Sequence, residues 1–285
     1  MIRKVMMPVR GDGKGDNVLR HAATLAHAHS AHIEITHCRP RPEDLMPYGI
    51  PVPDFLRKQL VAQSYELADT EEAKLRGTLE TYAGALDLVD DGAARGTRAT
   101  YGWIEEVGRQ VDVIKRHGRL ADIVAVAQPD RDRNLGMSTL KAALFHSGRP
   151  VLMCPERKDQ PQSLGKSIAI AWNGSAEAAR AVAQSMFLIR HATRVAILSS
   201  GMDAGPGTTA EDLKSYLNMH DAEGDIVPFD AGKSAGAALL KVSAEIDADV
   251  LIMGAYSDSH ERETIFGGNT QTIVDHAKMP ILLSH

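Results

Sequence analysis

Short apolar runs alternate along the whole chain with segments that have helical periodicity. Residues 123–127 and 250–253 contain no polar position, whereas residues 176–189 carry apolar side chains every three or four positions. Uninterrupted apolar runs of this length are typical of parallel strands that are buried on both faces. The pattern therefore predicts an α/β fold, with right-handed crossovers and helices on both faces of a parallel sheet.

The same pattern predicts where the elements lie. Strands are expected at residues 3–9, 32–37, 101–107, 123–127, 151–154, 167–172, 194–198, 225–229, 250–253 and 281–284. Helices are expected at residues 16–29, 54–86, 109–119, 138–146, 176–189, 209–220, 235–246 and 269–277. We interpret the charged positions of the long second helix as a solvated face rather than a coiled coil that binds a partner.

The second part of the chain repeats the first. Residues 122–154 resemble residues 249–284, and counting back from Pro150 and Pro280 aligns His146 with His276. The openings also match, because each copy starts with a strand-like run followed by an alanine-rich amphipathic segment. The sequence thus predicts two tandem domains, 1–156 and 165–285, joined by a polar, proline-bearing linker.

Composition narrows the classes of partner. The chain has 285 residues, a net charge of −5 and no apolar run near the 18 residues of a membrane span. This charge balance argues against nucleic acid or a membrane as the main partner. The N-terminal apolar run is too short for a signal peptide. Cys38 and Cys154 are expected to be buried thiols in a reducing cytoplasm, with a disulfide or a reactive pair as the alternative.

A candidate anion site follows the apolar run 250–253. Gly254 ends that run, and Gly267 and Gly268 open a helical segment that Asn269 or Thr270 is expected to cap. Bare backbone N–H groups at a helix N-terminus favour a bound anion. The loop 173–175 should lie at the same edge of the sheet, where such folds bind ligands. The alternative is that these glycines serve only tight turns and helix–sheet packing.

This arrangement resembles the signature of the universal stress protein family, G-x-x-G-x9-G-[ST], which binds ATP phosphates and ribose there. Here the sequence is Met253-Gly254-x-x-Ser257 and, nine residues on, Gly267-Gly268, so that serine replaces the second glycine and glycine replaces the hydroxyl residue. The resemblance implies two tandem doubly wound, Rossmann-like domains of five parallel strands, of the adenine nucleotide alpha hydrolase-like type. It also implies bound ATP or another adenine nucleotide, with or without Mg²⁺. The implied site residues are Asn173, Gly174, Ser175, Met253, Gly254, Ser257, Gly267, Gly268, Asn269 and Thr270.

The N-terminal copy departs further from the signature. Ala127 stands at the position of Gly254, and Met137-Ser138 stands at that of the glycine pair. Methionine carries a side chain where a phosphate would need close backbone approach. The sequence therefore predicts a structural N-terminal copy that does not bind nucleotide.

Catalysis has little support in the sequence. Asn173 replaces the aspartate that usually helps to hold the nucleotide in the family, and an amide brings no negative charge for Mg²⁺. No nucleophile elbow, HExxH motif or paired-carboxylate spacing occurs. Three functions remain open at this point. They are a nucleotide-binding stress or regulatory protein, a very slow ATPase, and an interaction module without nucleotide.

The resemblance also implies how the two copies assemble. Simple members of the family pair two chains through the final strand of each sheet. The equivalent segments here are residues 150–154 and 280–284, both apolar. We therefore expect an intramolecular pseudo-dimer with these two strands antiparallel at its centre, and association of two chains into a homodimer.

Overall fold

The structure is a computed structural model. It describes residues 1–39, 41, 54–90, 95–201, 208–255 and 268–285, with only the backbone described for 54–68. Its strands are β1 Lys4–Val9, β2 His32–Arg39, β3 Thr100–Val107, β4 Ile123–Ala127, β5 Val151–Cys154, β6 Ser167–Ala171, β7 Arg194–Ser199, β8 Asp225–Pro228, β9 Val250–Gly254 and β10 Ile281–Ser284. Its helices are α1 Gly15–His29, α2 Asp54–Ala85, α3 Gln110–Gly118, α4 Met137–His146, α5 Ala176–Ile189, α6 Ala210–Met219, α7 Ala235–Glu245 and α8 Gly268–His276. The predicted elements are all present, with ends that differ by one or two residues.

All ten strands form one sheet in the order β3-β2-β1-β4-β5-β10-β9-β6-β7-β8. Read outward from its centre, the strands follow the same order in residues 1–156, the N-terminal half, and in residues 165–285, the C-terminal half. Neighbouring strands are parallel except β5 and β10, which pair antiparallel with Leu152 opposite Leu282. The predicted α/β fold class is confirmed, and so is the antiparallel pairing of the two final strands.

Two apolar layers cover the sheet and account for the uninterrupted apolar runs. One layer packs α1 and α5 against the face that carries Leu152 and Leu282. The other packs α3, α4, α7 and α8 against the opposite face, which carries Val151 and Ile281. The four central strands are thus buried on both faces, and all of their apolar side chains contribute to the core.

Matching aspartates anchor the first strand of each half. The Asp122 carboxylate accepts hydrogen bonds from the backbone N–H groups of Arg3 and Lys4, at 2.6 and 2.9 Å. In the other half, the Asp249 carboxylate accepts from those of Gly165 and Lys166, at 2.9 and 3.0 Å. Each aspartate directly precedes the fourth strand of its half, so the repeat extends to side-chain contacts.

Strand β2 is longer than predicted, because Cys38 and Arg39 continue its pairing with β3. The polar residues at this end of β2 do not show the apolar pattern of a strand, so the sequence did not predict the extension. Arg39 forms ion pairs of 2.6 Å with both Asp69 and Glu72 of α2.

Both cysteines are free thiols. Cys154 is buried as predicted, whereas Cys38 is only half-buried. No described helix combines the length and apolar character needed to cross a bilayer.

Candidate functional site

The candidate site lies at the carboxyl edge of the C-terminal half of the sheet. Strand β6 pairs with β7 on one side and with β9 on the other, with Ile170 opposite Ile252. The loops after β6 and β9 therefore leave the sheet side by side at the point where the strand order reverses. Doubly wound sheets bind their ligands in this crevice.

The loop after β6 forms a compact turn that begins α5. The Asn173 side-chain oxygen accepts a hydrogen bond from the Ser175 N–H at 3.2 Å. Gly174 has φ 72°, a left-handed conformation that glycine adopts without steric cost. The Ser175 hydroxyl accepts from the Ala178 N–H at 3.2 Å and caps α5. Asn173 itself is exposed, so its amide remains accessible from solvent.

Gly254 lets α5 pack closely on the end of β9. A Cβ atom at this position would lie 2.6 Å from the Ala178 nitrogen and 2.6 Å from the Glu177 carbonyl carbon. Both of these are backbone atoms, which cannot move aside as a flexible side chain would. The preceding residue, Met253, is buried in the core. Its side chain faces the core, so only its backbone is left for a ligand, and its place in the site stays a prediction.

Gly254→Ala is accordingly expected to destabilise the nucleotide-free protein by about 1–3 kcal/mol, the usual cost of overpacking. Urea unfolding followed by circular dichroism measures this. Gly268→Ala is the matched control, because a Cβ at Gly268 meets no described atom within 4 Å. Equal stability of Gly254→Ala and wild type would show that Gly254 has no packing role.

The first turn of α8 supplies the candidate anion-binding groups. The helix begins at Gly268, so the expectation that Asn269 or Thr270 caps it is wrong, and both lie inside the helix. The Asn269 side-chain oxygen accepts from the Gly236 N–H at 3.2 Å, and Thr270 is buried. The Thr270 side chain is thus turned into the protein, whereas Gly268 and Asn269 are exposed, with the Asn269 oxygen already engaged. Ser257 and Gly267 lie outside the described residues.

In the N-terminal half the equivalent position is filled by an arginine. In the repeat Val124 aligns with Leu251, and their strand partners are Met6 and Ala169 respectively. Four residues further on, Arg10 is therefore the counterpart of Asn173. The Arg10 guanidinium donates to the Ser138 and Thr139 hydroxyls at 3.1 and 3.3 Å, in the first turn of α4. These hydroxyl residues align with Gly268 and Asn269 of α8. The N-terminal half thus places an arginine over the first turn of α4, where the C-terminal half has an asparagine near α8.

The remaining space beside Arg10 is small, about 20 Å³, which is enough for about one water molecule. Lys14, from the same crevice, pairs with Asp130 at 3.4 Å. The Arg133 N–H, with the Lys14 charge, holds the pKa of the Asp130 carboxyl below its usual range, so that carboxylate is ionised at neutral pH. The Lys14 charge is therefore neutralised by Asp130, and the small space beside Arg10 shares Asp12 and Lys14 with a larger cavity of about 680 Å³. Sequence reasoning missed Arg10 because its role depends on the strand register.

Among the residues that the structure describes, no group of three or more His, Cys, Asp or Glu side chains could hold a metal ion. Asn173 offers an amide where a carboxylate would be required to bind Mg²⁺ directly. A helix N-terminus such as that of α8 suits a phosphate better than the loop after β6 suits a metal.

Sequence comparison and structure comparison give different results. No protein-family model matches the chain, and a search of curated proteins finds no match. Among solved structures, a universal stress protein from Archaeoglobus fulgidus DSM 4304 superposes with a TM-score of 0.68 and 14% identity, over 99% of this chain and 97% of the other. A functionally unknown protein from Pseudomonas aeruginosa PAO1 gives a TM-score of 0.52 and 14% identity, over 99% and 92%.

The chain is thus an α/β protein of two doubly wound halves that share one sheet. Over nearly its whole length this is the fold of a universal stress protein. The resemblance that the sequence motifs indicated is confirmed at the level of the fold.

Proposed function

We propose that this protein acts as a universal stress protein that binds one adenine nucleotide, ATP or a close relative, in its C-terminal half. The observation that carries the proposal is the contrast between the two crevices. In the N-terminal one Arg10 reaches the first turn of α4, whereas the start of α8 presents an exposed Gly268 with no described side chain against it. This contrast supports a structural role for the N-terminal half and an anion position in the C-terminal half.

The phosphates would lie at the first turn of α8. The unpaired N–H groups of a helix N-terminus and its dipole both favour negative charge, and the missing Cβ of Gly268 allows close approach. The exposed Asn173 amide would pair with a ribose hydroxyl or an adenine edge. The other predicted site residues would contribute the turn and the packing that hold these groups in place.

We further propose that the protein senses or stores nucleotide rather than turning it over. Hydrolysis needs an oriented water and usually a carboxylate that holds a metal, and Asn173 stands where the resembled family has that acid. Wild-type ATP turnover is therefore expected to stay well below about 1 s⁻¹, whereas ordinary enzymes reach about 10 s⁻¹.

Asn173→Asp is expected to strengthen ATP binding in the presence of MgCl₂ and to change it little without the metal. Aspartate keeps the oxygen that accepts from the Ser175 N–H, so the turn should persist. Calorimetric titration with and without MgCl₂, together with phosphate release, measures both effects. Asn173→Ala, which lacks that oxygen, is the control. Steady wild-type turnover above about 1 s⁻¹, or no metal effect in Asn173→Asp, would contradict this assignment.

Assembly and location are also part of the proposal. We propose that residues 1–156 and 165–285 are tandem domains that form an intramolecular pseudo-dimer, that two chains form a homodimer, and that the protein is cytoplasmic. The mirrored strand order and the antiparallel contact of β5 with β10 support the pseudo-dimer. The two free thiols suit a reducing compartment.

A second candidate function, an interaction module without nucleotide, has one observation in its favour. Gly174, Ser175, Gly254 and Asn269 each have a structural task in the turn, the cap or the helix packing. The exposed start of α8 is not accounted for in this way, and for that reason we prefer nucleotide binding. Retention of an adenine nucleotide through purification distinguishes the two functions.

A further inference from the structure

The loop that follows β4 in the N-terminal half contacts α8, the last helix of the C-terminal half, through two side chains. The Gln128 side-chain amide donates to the Val274 carbonyl at 2.8 Å and to the Ala277 carbonyl at 3.2 Å. The Arg131 guanidinium lies 2.7 Å from the Asp275 carboxylate. This loop is the counterpart of the signature loop in the other half, but its polar side chains are directed to α8 rather than to a ligand. We call the Gln128 and Arg131 contacts the clasp.

The clasp satisfies groups that would be costly to leave unpaired. The last carbonyls of a helix have no partner within the helix, and Gln128 provides one for Val274. The Asp275 side chain is only 6% exposed, although it lies at a helix C-terminus, where the dipole disfavours negative charge. Arg131 compensates that buried charge. The Gln128 hydrogen bonds and the Arg131–Asp275 ion pair therefore both require α8 to keep its position relative to the N-terminal half.

The loop itself is held firmly in place. Asp130 and Leu135 exchange two backbone hydrogen bonds of 2.9 Å, which close its base. Lys14 donates to the Gln128 carbonyl at 3.3 Å and pairs with Asp130. These bonds hold the loop in place on the N-terminal half. The clasp can therefore fix the position of α8.

Helix α8 joins the clasp to the proposed nucleotide site. It has nine residues and so spans about 13 Å. A short helix of this kind moves as a rigid rod, and a displacement at its last turn shifts the amides of its first turn. Binding groups must be held to within about 0.5 Å to remain productive.

We propose that Gln128 and Arg131 are positioning residues for nucleotide binding, and that the N-terminal half sets the affinity of the C-terminal site through α8. This inference rests on the proposed function. It assigns a task to the N-terminal half, which has lost its own site but retains a loop that controls the surviving one. By thermodynamic linkage, nucleotide bound at α8 must in turn stabilise the clasp.

Gln128→Ala and Arg131→Ala test the proposal, each with two measurements. ATP affinity by calorimetry is expected to fall about 3- to 10-fold in each variant, the usual net effect of losing one or two such bonds. Hydrogen exchange of the amides of residues 268–277 in the nucleotide-free protein is expected to become faster by a similar factor. Arg131→Lys, which keeps the charge, should recover at least half of both losses.

Arg133→Ala is the matched control. Arg133 belongs to the same loop, but its side chain donates to the Asp12 carbonyl at 3.5 Å and forms no hydrogen bond or ion pair with α8 among the described residues. Its removal should leave both measurements at the wild-type level. In the wild type, ATP should slow exchange of the amides of residues 128–135.

The outcomes separate the inference from the proposed function. If the wild type binds ATP and the clasp variants bind it equally well, the positioning role is wrong while the nucleotide site stands. If the wild type binds no adenine nucleotide, the proposed function fails and the positioning role fails with it. Equal losses in Arg133→Ala would show a general effect of the loop and would also overturn the inference.

Discussion

Gly268→Val is expected to abolish adenine nucleotide binding. The valine side chain would cover the first-turn amides of α8, and each hydrogen bond from a backbone amide to a charged phosphate contributes about 1.5–3 kcal/mol. The loss of two such bonds weakens binding roughly 100-fold or more. The fold should be unaffected, because a Cβ at this position meets no described atom within 4 Å. Calorimetric titration with ATP is the measurement, with circular dichroism as the check on folding.

Ser138→Val is the control for this prediction. Ser138 occupies the aligned position in the N-terminal half, where its hydroxyl accepts from Arg10. The valine variant should therefore retain wild-type affinity and a stoichiometry of one nucleotide per chain. Loss of binding in Ser138→Val would show that the functional site has been assigned to the wrong half, and two equivalent sites in the wild type would show that both halves bind.

Leu282→Asp is expected to produce the largest loss of stability. Leu282 lies opposite Leu152 at the centre of the antiparallel β5–β10 pair, and both side chains are fully buried. An unpaired carboxylate in such a place costs several kcal/mol. That is a large part of the 5–15 kcal/mol that stabilises a typical domain. We expect unfolding, aggregation or separation of the halves, detected by urea denaturation and analytical ultracentrifugation.

Two further variants show whether burial is the cause. Leu282→Met conserves volume and should cost less than about 1.5 kcal/mol. Leu120→Asp makes the same chemical change at a leucine that is 78% exposed, and should be nearly neutral. A Leu282→Asp protein as stable as wild type would show that β5 and β10 do not form the centre of the sheet in solution.

The sequence predicted the sheet well because its signals are local. Uninterrupted apolar runs marked the strands buried on both faces, and the repeat identified the final strand of each copy. The antiparallel pairing of these two strands, with Leu152 opposite Leu282, was implied by the resemblance to the universal stress protein family. The extra residues of β2 could not be predicted, because Arg39 is accommodated through ion pairs with α2 and with Glu105 of β3, which lie far along the chain.

The candidate site was predicted less completely, and the reasons are geometric. Thr270 appears polar and available in the sequence, but the phase of α8 turns it into the core. A polar residue after two glycines suggests a helix cap, yet the helix begins one residue earlier. Arg10 and Gln128 act through side chains that reach partners more than 100 residues away, Ser138 and Val274 respectively. Contacts between distant segments leave no local pattern in a single sequence.

Native mass spectrometry of the freshly purified protein tests the central claim most directly, because it measures what each chain retains. The account predicts a mass increase of one adenine nucleotide per chain in the wild type and in Ser138→Val, and none in Gly268→Val. Absence of nucleotide from the wild type even after incubation with excess ATP, or two nucleotides per chain, would contradict a single site in the C-terminal half.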